Sequence, residues 1–270
     1  MLNEIVIDSE DQVVKQGKEI SIDWFSVTFE FRCNDEEREL DTVIDTVEMI
    51  RTFLNYPKER IVERNYGKRN YRYAYDFGDY ISLNLCGPIN DRGVNTNSLV
   101  ISGQGCDEFE TINGKDKWPE FIKNMIVRLQ GTCTRIDLPI DDFEGDVISF
   151  DYLKNKLDRE MYTSTFKKEY VISGNKTNGY SLTFGQRRKD IKTSSQLVIY
   201  EKNKEQNTKG ETCLQDYWVR YEMRFMHEKA QRIALAILDV YEFGIVKLNE
   251  EIEVPKNEEG FVILVSTLLY

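Results

Sequence analysis

Three short apolar runs in this 270-residue chain each carry a side chain able to do chemistry. Leu197-Val198-Ile199-Tyr200-Glu201-Lys202 holds a tyrosine and is followed at once by charge. Thr134-Arg135-Ile136-Asp137-Leu138-Pro139-Ile140-Asp141-Asp142 and Val219-Arg220-Tyr221-Glu222-Met223-Arg224-Phe225 place carboxylates inside apolar sequence. A tyrosine hydroxyl beside carboxylates that hold a divalent cation can cut a phosphodiester. The phenol attacks phosphorus, the metal takes up the developing negative charge, and the product is a covalent phosphotyrosine.

Strand side chains alternate between faces. Arg135, Asp137 and Asp141 then share one face, and Arg220, Glu222 and Arg224 share another, opposite Tyr221, Met223 and Phe225. Tyr200 and Lys202 share a face with Val198. If the charged faces meet, Asp137 and Glu222 can hold Mg²⁺ or Mn²⁺, hard ions that prefer carboxylate oxygen. The plainer alternative is salt bridging of both carboxylates to the neighbouring arginines on an exposed sheet face. Tyr200 has its own plain reading, because the chain has 15 tyrosines and a strand tyrosine is commonly half-buried packing. Lys202 can favour the phenolate or hold a phosphate, and it can equally be a solubilising edge lysine. Gly185-Gln186-Arg187-Arg188 is either a phosphate cradle or a turn.

The single histidine, His227, excludes any site that needs two imidazoles, including HExxH zinc hydrolases and nucleases that hold their metal with a histidine pair. With no GxSxG present, His227 reads as a helix-start or surface residue. Cys33, Cys86, Cys106, Cys133 and Cys213 form no CxxC pair, which suggests reduced intracellular thiols and no structural zinc. No apolar run is long enough to span a bilayer, and Met1 to Glu19 lacks an apolar signal core, so the cytoplasm is the expected location.

The net charge of -11 argues against a protein that coats nucleic acid indiscriminately. The charge is segregated, however. Segment 34–48 is acidic, whereas 60–73 (Arg60, Arg64, Lys68, Arg69, Arg72) and 184–204 (Arg187, Arg188, Lys189, Lys192, Lys202, Lys204) are basic. Tyr66, Tyr71, Tyr73 and Tyr75 interleave the first basic segment, a pattern that can contact phosphates and stack on bases. A solvated hairpin with charged outward positions accounts for the same composition.

The elements that must position these residues follow from periodicity. Strands are expected at 22–31, 59–66, 70–77, 79–86, 97–103, 133–140, 164–172, 179–185, 195–202 and 217–226. Helices are expected at 39–55 (ended by Pro57), 106–112, 117–130, 150–160 and 227–240. Gly103-Gln104-Gly105 is expected to end its strand. Strands outnumber the helices that parallel crossovers would need, which favours an α+β fold with a largely antiparallel curved sheet and flanking helices. Residues 1–20 read as a tail or edge strand. Residues 21–240 read as the catalytic domain, with pseudo-repeated halves at 21–131 and 132–240. Residues 241–270 read as an extension that stops short of its natural end.

Five blocks, in order, resemble the Rep-trans family of rolling-circle plasmid initiators and conjugative relaxases. They are Asp23 to Phe29, then Ile101-Ser102-Gly103-Gln104-Gly105-Cys106, then Thr134 to Asp142. The fourth joins Phe184-Gly185-Gln186-Arg187 to Ile199-Tyr200-Glu201-Lys202-Asn203-Lys204-Glu205-Gln206. The last runs from Trp218 to Arg224, with Glu228-Lys229-Ala230-Gln231 after it. The resemblance implies that Tyr200 is the nicking nucleophile and that Asp137 and Glu222 are ligands to Mg²⁺ or Mn²⁺, with Asp141 and Asp23 as further candidates. Lys202, Arg187 and Arg135 become candidates for phosphate contacts, and Arg188, Lys189, Arg64, Lys68 and Arg69 for DNA binding. It also implies a homodimer, a host helicase partner, and double-stranded origin DNA with a single-stranded nick site as substrate. Pro139 departs from the family pattern, which usually has a small residue there, and suggests an edge or bulged strand. Two other readings stay open: a nuclease that uses water and leaves Tyr200 structural, and a DNA-binding module with no catalysis.

Overall fold

The computed structural model describes residues 6–7, 13–14, 16–31, 36–64, 70–161, 166, 170–185, 195–208, 210 and 213–243. In chain order the elements are β1 (Val6–Ile7), β2 (Val13–Val14), β3 (Lys18–Ile20), β4 (Trp24–Phe31), α1 (Glu36–Leu54), β5 (Ile61–Arg64), β6 (Tyr73–Phe77), β7 (Ile81–Leu85) and β8 (Asn95–Ile101). Then come α2 (Gly103–Asn113), α3 (Trp118–Lys123), β9 (Thr132–Asp142), α4 (Phe150–Asp158), β10 (Val171–Asn175), β11 (Gly179–Phe184), β12 (Ser195–Glu201), α5 (Lys202–Thr208), β13 (Val219–Met226) and α6 (Glu228–Phe243). The expected α+β class with antiparallel sheet is what the chain adopts. Among the described residues, no helix is long and apolar enough to cross a membrane.

The chain forms two compact units. One is built on Ser21–Leu138, joined by the Arg224 end of β13 and by α6. Its strands run in the order β9-β4-β8-β7-β6-β5, each antiparallel to the next. β8 alternates buried and half-exposed residues along its length, the signature of a strand with one face on the core. Phe25 on β4, Phe109 on α2, and Trp118 and Phe121 on α3 form one aromatic cluster with centroid separations of 4.4 to 6.1 Å. Such pairs each add about 0.5–1.5 kcal/mol beyond the area they bury.

The other unit is built on Pro139–Met223 together with β3. Here β10, β11, β12 and β13 lie side by side in that order, and β3 pairs with the far end of β9 through Ile20 and Ile140. α4 packs on β12, and α5 on β11. The boundary at Leu138 and Pro139 falls inside β9.

Pro139 is buried within β9. On one side β9 pairs with β4 as far as Asp137, and with β3 only from Ile140 onward. The proline, which has no N–H to donate, sits in the gap between these two partners.

Several boundaries differ from expectation. Gly103-Gln104-Gly105 opens α2 instead of merely ending β8. A Cβ on Gly105 would stand 2.8 Å from the Tyr80 carbonyl oxygen and 3.1 Å from Ile81, so glycine lets the helix approach the sheet closely. The helix expected over 117–130 is α3 followed by a π turn at Asn124–Arg128. The strand expected at 164–172 is found at Val171–Asn175, and most of 162–169 lies outside the described residues. Tyr66 and the greater part of 241–270 also lie outside them.

Candidate active site

β12 lies between β11 and β13 and is buried along most of its length. Its apolar residues Leu197, Val198 and Ile199 anchor it, and Tyr200 emerges half-buried where the strand runs out. The Tyr200 hydroxyl donates to Glu222 Oε2 at 3.3 Å. Glu222 stands in the middle of β13 and is 2% exposed. The nucleophile candidate and one metal-ligand candidate therefore meet directly within one unit.

Lys202 is not a strand residue on the Tyr200 face, as alternation predicted. The strand stops at Glu201, and Lys202 opens α5, its N–H donating to the Trp218 carbonyl at 2.8 Å. Nor is it an exposed edge lysine, because it is buried. Its Nζ lies 5.6 Å from the centroid of the Tyr200 ring and pairs with Glu205 Oε2 at 2.7 Å. Glu201 does the complementary work, accepting from the Tyr180 N–H at 2.8 Å and from Lys204 Nζ at 2.6 Å. These contacts fix the strand-to-helix corner that carries Tyr200.

In the same unit, Asp141 is buried, and both of its oxygens are engaged. Arg220 donates from Nε at 2.7 Å and from Nη2 at 2.8 Å, and the Trp218 indole donates at 2.6 Å. Its neighbour Asp142 accepts four backbone N–H groups, from Glu144, Gly145, Asp146 and Val147, and so pins the loop that follows β9. Burial pushes the Tyr221 phenol well above the usual tyrosine range, and its hydroxyl donates to the Ile148 carbonyl oxygen.

Asp137 belongs to the other unit. It is 1% exposed, and Arg135 Nε reaches its two oxygens at 2.9 and 3.1 Å. Arg224 Nε lies 3.8 Å from the same carboxylate. The Arg135 guanidinium also stacks 4.2 Å from the centre of the Trp24 ring. The arginine pairing anticipated for Asp137 is present, but on a buried residue and not on an exposed face. Asp23 donates its N–H to the Asp137 carbonyl at 3.0 Å.

Arg64 pairs with Asp76 across β5 and β6. Arg187, Arg188, Lys189, Lys68 and Arg69 lie outside the described residues. His227 is exposed and immediately precedes α6, as read from sequence.

Sequence reasoning gave no role to Trp218, Asp142 or Glu205. Trp218 stood inside a motif block, but nothing in its spacing announced a hydrogen bond to a residue 77 positions away.

Burial pushes Cys133 up to about 12 and Cys106 well above its ordinary value. Among the described residues, no three acidic, histidine or cysteine side chains gather into a ready ligand set.

Residues 131–259 match the replication initiation factor family, Rep_trans. Residues 19–124 match the N-terminal domain of rolling circle replication initiation proteins. The chain is 27% identical over 253 residues to NicK of Bacillus subtilis (strain 168), which carries the name of a DNA relaxase. That match takes in 90% of this chain but only 66% of the relative's length. A rolling circle replication initiator protein from Geobacillus stearothermophilus has the same fold, with a TM-score of 0.65 at 23% identity, over 93% of this chain and 97% of that one. Family matches on both sides of β9, and a fold shared along nearly the whole chain, lead to one conclusion: the chain is similar to the Rep-trans replication initiation factors over residues 131–259 and to rolling circle initiators over residues 19–124.

Proposed function

We propose that this chain nicks and religates single-stranded DNA at a specific site through a 5′-phosphotyrosine, and so initiates rolling-circle plasmid replication or conjugative transfer. The observation that carries the reading is the Tyr200 hydroxyl held by the buried Glu222 carboxylate. Tyrosine packing alone does not call for a carboxylate buried in mid-strand, since burying a charge is costly unless it has partners.

The chemistry follows from the phenol. The Tyr200 oxygen forms a bond to the scissile phosphorus and gives up its proton. The bond to the 3′ oxygen breaks, and that oxygen takes up a proton to leave as a 3′-OH. The 5′-phosphate stays on Tyr200, so the energy of the diester is kept and religation needs no nucleotide. Glu222 orients the phenol before attack. Lys202, beside the ring, stabilises negative charge on the phenol and the phosphate. Arg135 and Arg187 contact neighbouring phosphates.

The family generally works with a divalent metal, and the donors here suit a hard one. Glu222 and Asp137 are carboxylates on strands, oxygen donors of the kind a hard ion prefers. Mg²⁺ is commonly held by one or two carboxylates, with waters and substrate phosphates completing its shell, so a large protein cage is not required. We assign Asp137 and Glu222 as the ligands. When bound, the ion would neutralise charge building on the phosphate oxygens. Asp141 instead fixes Arg220.

The substrate is origin DNA presented with a single-stranded nick site. A homodimer and a host helicase complete the proposed assembly. The test is a set of single-stranded oligonucleotides tiled across the replicon that encodes the chain, incubated with Mn²⁺ or with chelator. One oligonucleotide should be cut, only with metal, leaving a 3′ end that a polymerase extends directly. A product blocked at its 3′ end would refute the chemistry, and binding without any cutting would leave a DNA-binding module.

A further inference from the structure

β4 and β9 do not pair evenly. Ser26 faces Arg135, but the next residue, Val27, faces Cys133, leaving Thr134 as one extra residue in β9. This bulge decides which face Asp137 presents. Residues directly paired across strands point to the same side. Phe25 and Val27 share a face of β4, so their partners Ile136 and Cys133 share it too, and all four are fully buried. Trp24 and Ser26 point the other way, so Asp137 and Arg135 do as well. Without the extra residue, Cys133 would have the parity of Arg135 and Asp137, and one side of the strand would turn over.

A bulge takes backbone groups out of the regular ladder, and two of those here are met by groups near the start of α6. The Thr134 carbonyl accepts the His227 N–H at 3.0 Å, just before α6 begins. The Thr134 and Ser26 hydroxyls bond at 2.9 Å. The Cys133 N–H donates to the side-chain oxygen of Gln231, on the first turn of α6, at 2.6 Å. Gln231 closes the motif block Glu228-Lys229-Ala230-Gln231, to which the chemistry above gives no task.

We infer that Gln231 is a positioning residue: by holding the Cys133 N–H it locks the Thr134 bulge and thereby aims the Arg135–Asp137 pair. The inference rests on the assignment of Asp137 as a metal ligand. Groups that orient a metal ligand typically change metal affinity 10- to 100-fold when lost.

The test is Mn²⁺ titration of the whole chain without DNA, followed by electron paramagnetic resonance, with thermal melts alongside. Gln231→Leu removes the acceptor and should weaken Mn²⁺ binding by about tenfold or more. Gln231→Glu keeps an oxygen at the same reach and should restore affinity to near the wild-type value. Ser26→Ala loosens the bulge from the other side, should weaken binding in the same direction, and decides the matter if Gln231→Leu does not fold. Asp137→Asn separates the two levels. If it loses Mn²⁺ while Gln231→Leu, or in its place Ser26→Ala, binds like wild type, the positioning role is overturned. If Asp137→Asn itself binds like wild type, the ligand assignment falls and the inference with it.

Discussion

The Tyr200 hydroxyl donates to Glu222 Oε2 at 3.3 Å, from the end of β12 to the middle of β13. The bond is longer than the usual 2.7–2.8 Å of an O–H···O pair, as catalytic hydrogen bonds often are before substrate arrives. Glu222→Gln keeps the shape of the side chain and removes its charge. Nicking of a labelled oligonucleotide at saturating Mn²⁺ should slow by about 10²-fold or more, with DNA binding retained. A rate within a few-fold of wild type would assign Glu222 to packing.

Asp141 and Arg220 form a second buried pair, and here the prediction concerns stability. Asp141→Asn leaves Arg220 buried against a neutral partner and should cost about 3–5 kcal/mol in urea unfolding. Replacing both residues with apolar ones of similar volume should restore most of that loss, since removing a whole buried pair is often nearly neutral. If instead Asp141→Asn leaves stability unchanged and abolishes Mn²⁺ binding, Asp141 is a ligand and not a partner for Arg220.

Alkaline pH should loosen the fold. Burial raises Cys133 from 9.0 to about 12, and burial with nearby Asp142, Glu201 and Asp151 raises Tyr217 from 10.0 to about 12. Above the unfolded values the unfolded chain releases these protons while the folded chain still holds them. The stability they contribute is therefore fully present below about pH 9 and declines as pH rises toward 12. Urea midpoints measured from pH 8 upward should fall across that window, and less steeply in Cys133→Ala. A thiol reagent at pH 8 should modify the partly exposed Cys213 well before Cys133.

Much of this fold could be read from the chain because its strands announce themselves locally. Runs such as Leu197-Val198-Ile199 and the alternation in β8 depend only on neighbours in sequence. The junctions were less legible. Nothing before Lys202 says that β12 ends at Glu201, because that corner is set by the Trp218 carbonyl and by the pairing of Glu201 with Lys204. Alternation put Arg135 and Asp137 on one face, and this was right locally, but the bulge at Thr134 breaks the count toward Cys133. A bulge costs one residue, and the groups bonded to it here lie far along the chain: Gln231 reaches Cys133 across 98 positions, and His227 reaches Thr134 across about 93. Arithmetic on spacing has no access to such partners. Tyr200 and Glu222 stand out in the sequence one at a time, Tyr200 at the end of an apolar run and Glu222 between Arg220 and Arg224, but the hydrogen bond between them is set by the fold.

The most direct test of the account is the covalent intermediate itself. Wild-type protein and Tyr200→Phe would be incubated with Mn²⁺ and the oligonucleotide that is cut, then resolved on denaturing gels, with any adduct mapped by mass spectrometry of its peptides. The account predicts a metal-dependent protein–DNA band, a 5′-phosphate on the peptide carrying Tyr200, and no band in Tyr200→Phe although that variant still binds the oligonucleotide. Cleavage by Tyr200→Phe at the wild-type rate, or an adduct mapped to another residue, would contradict it.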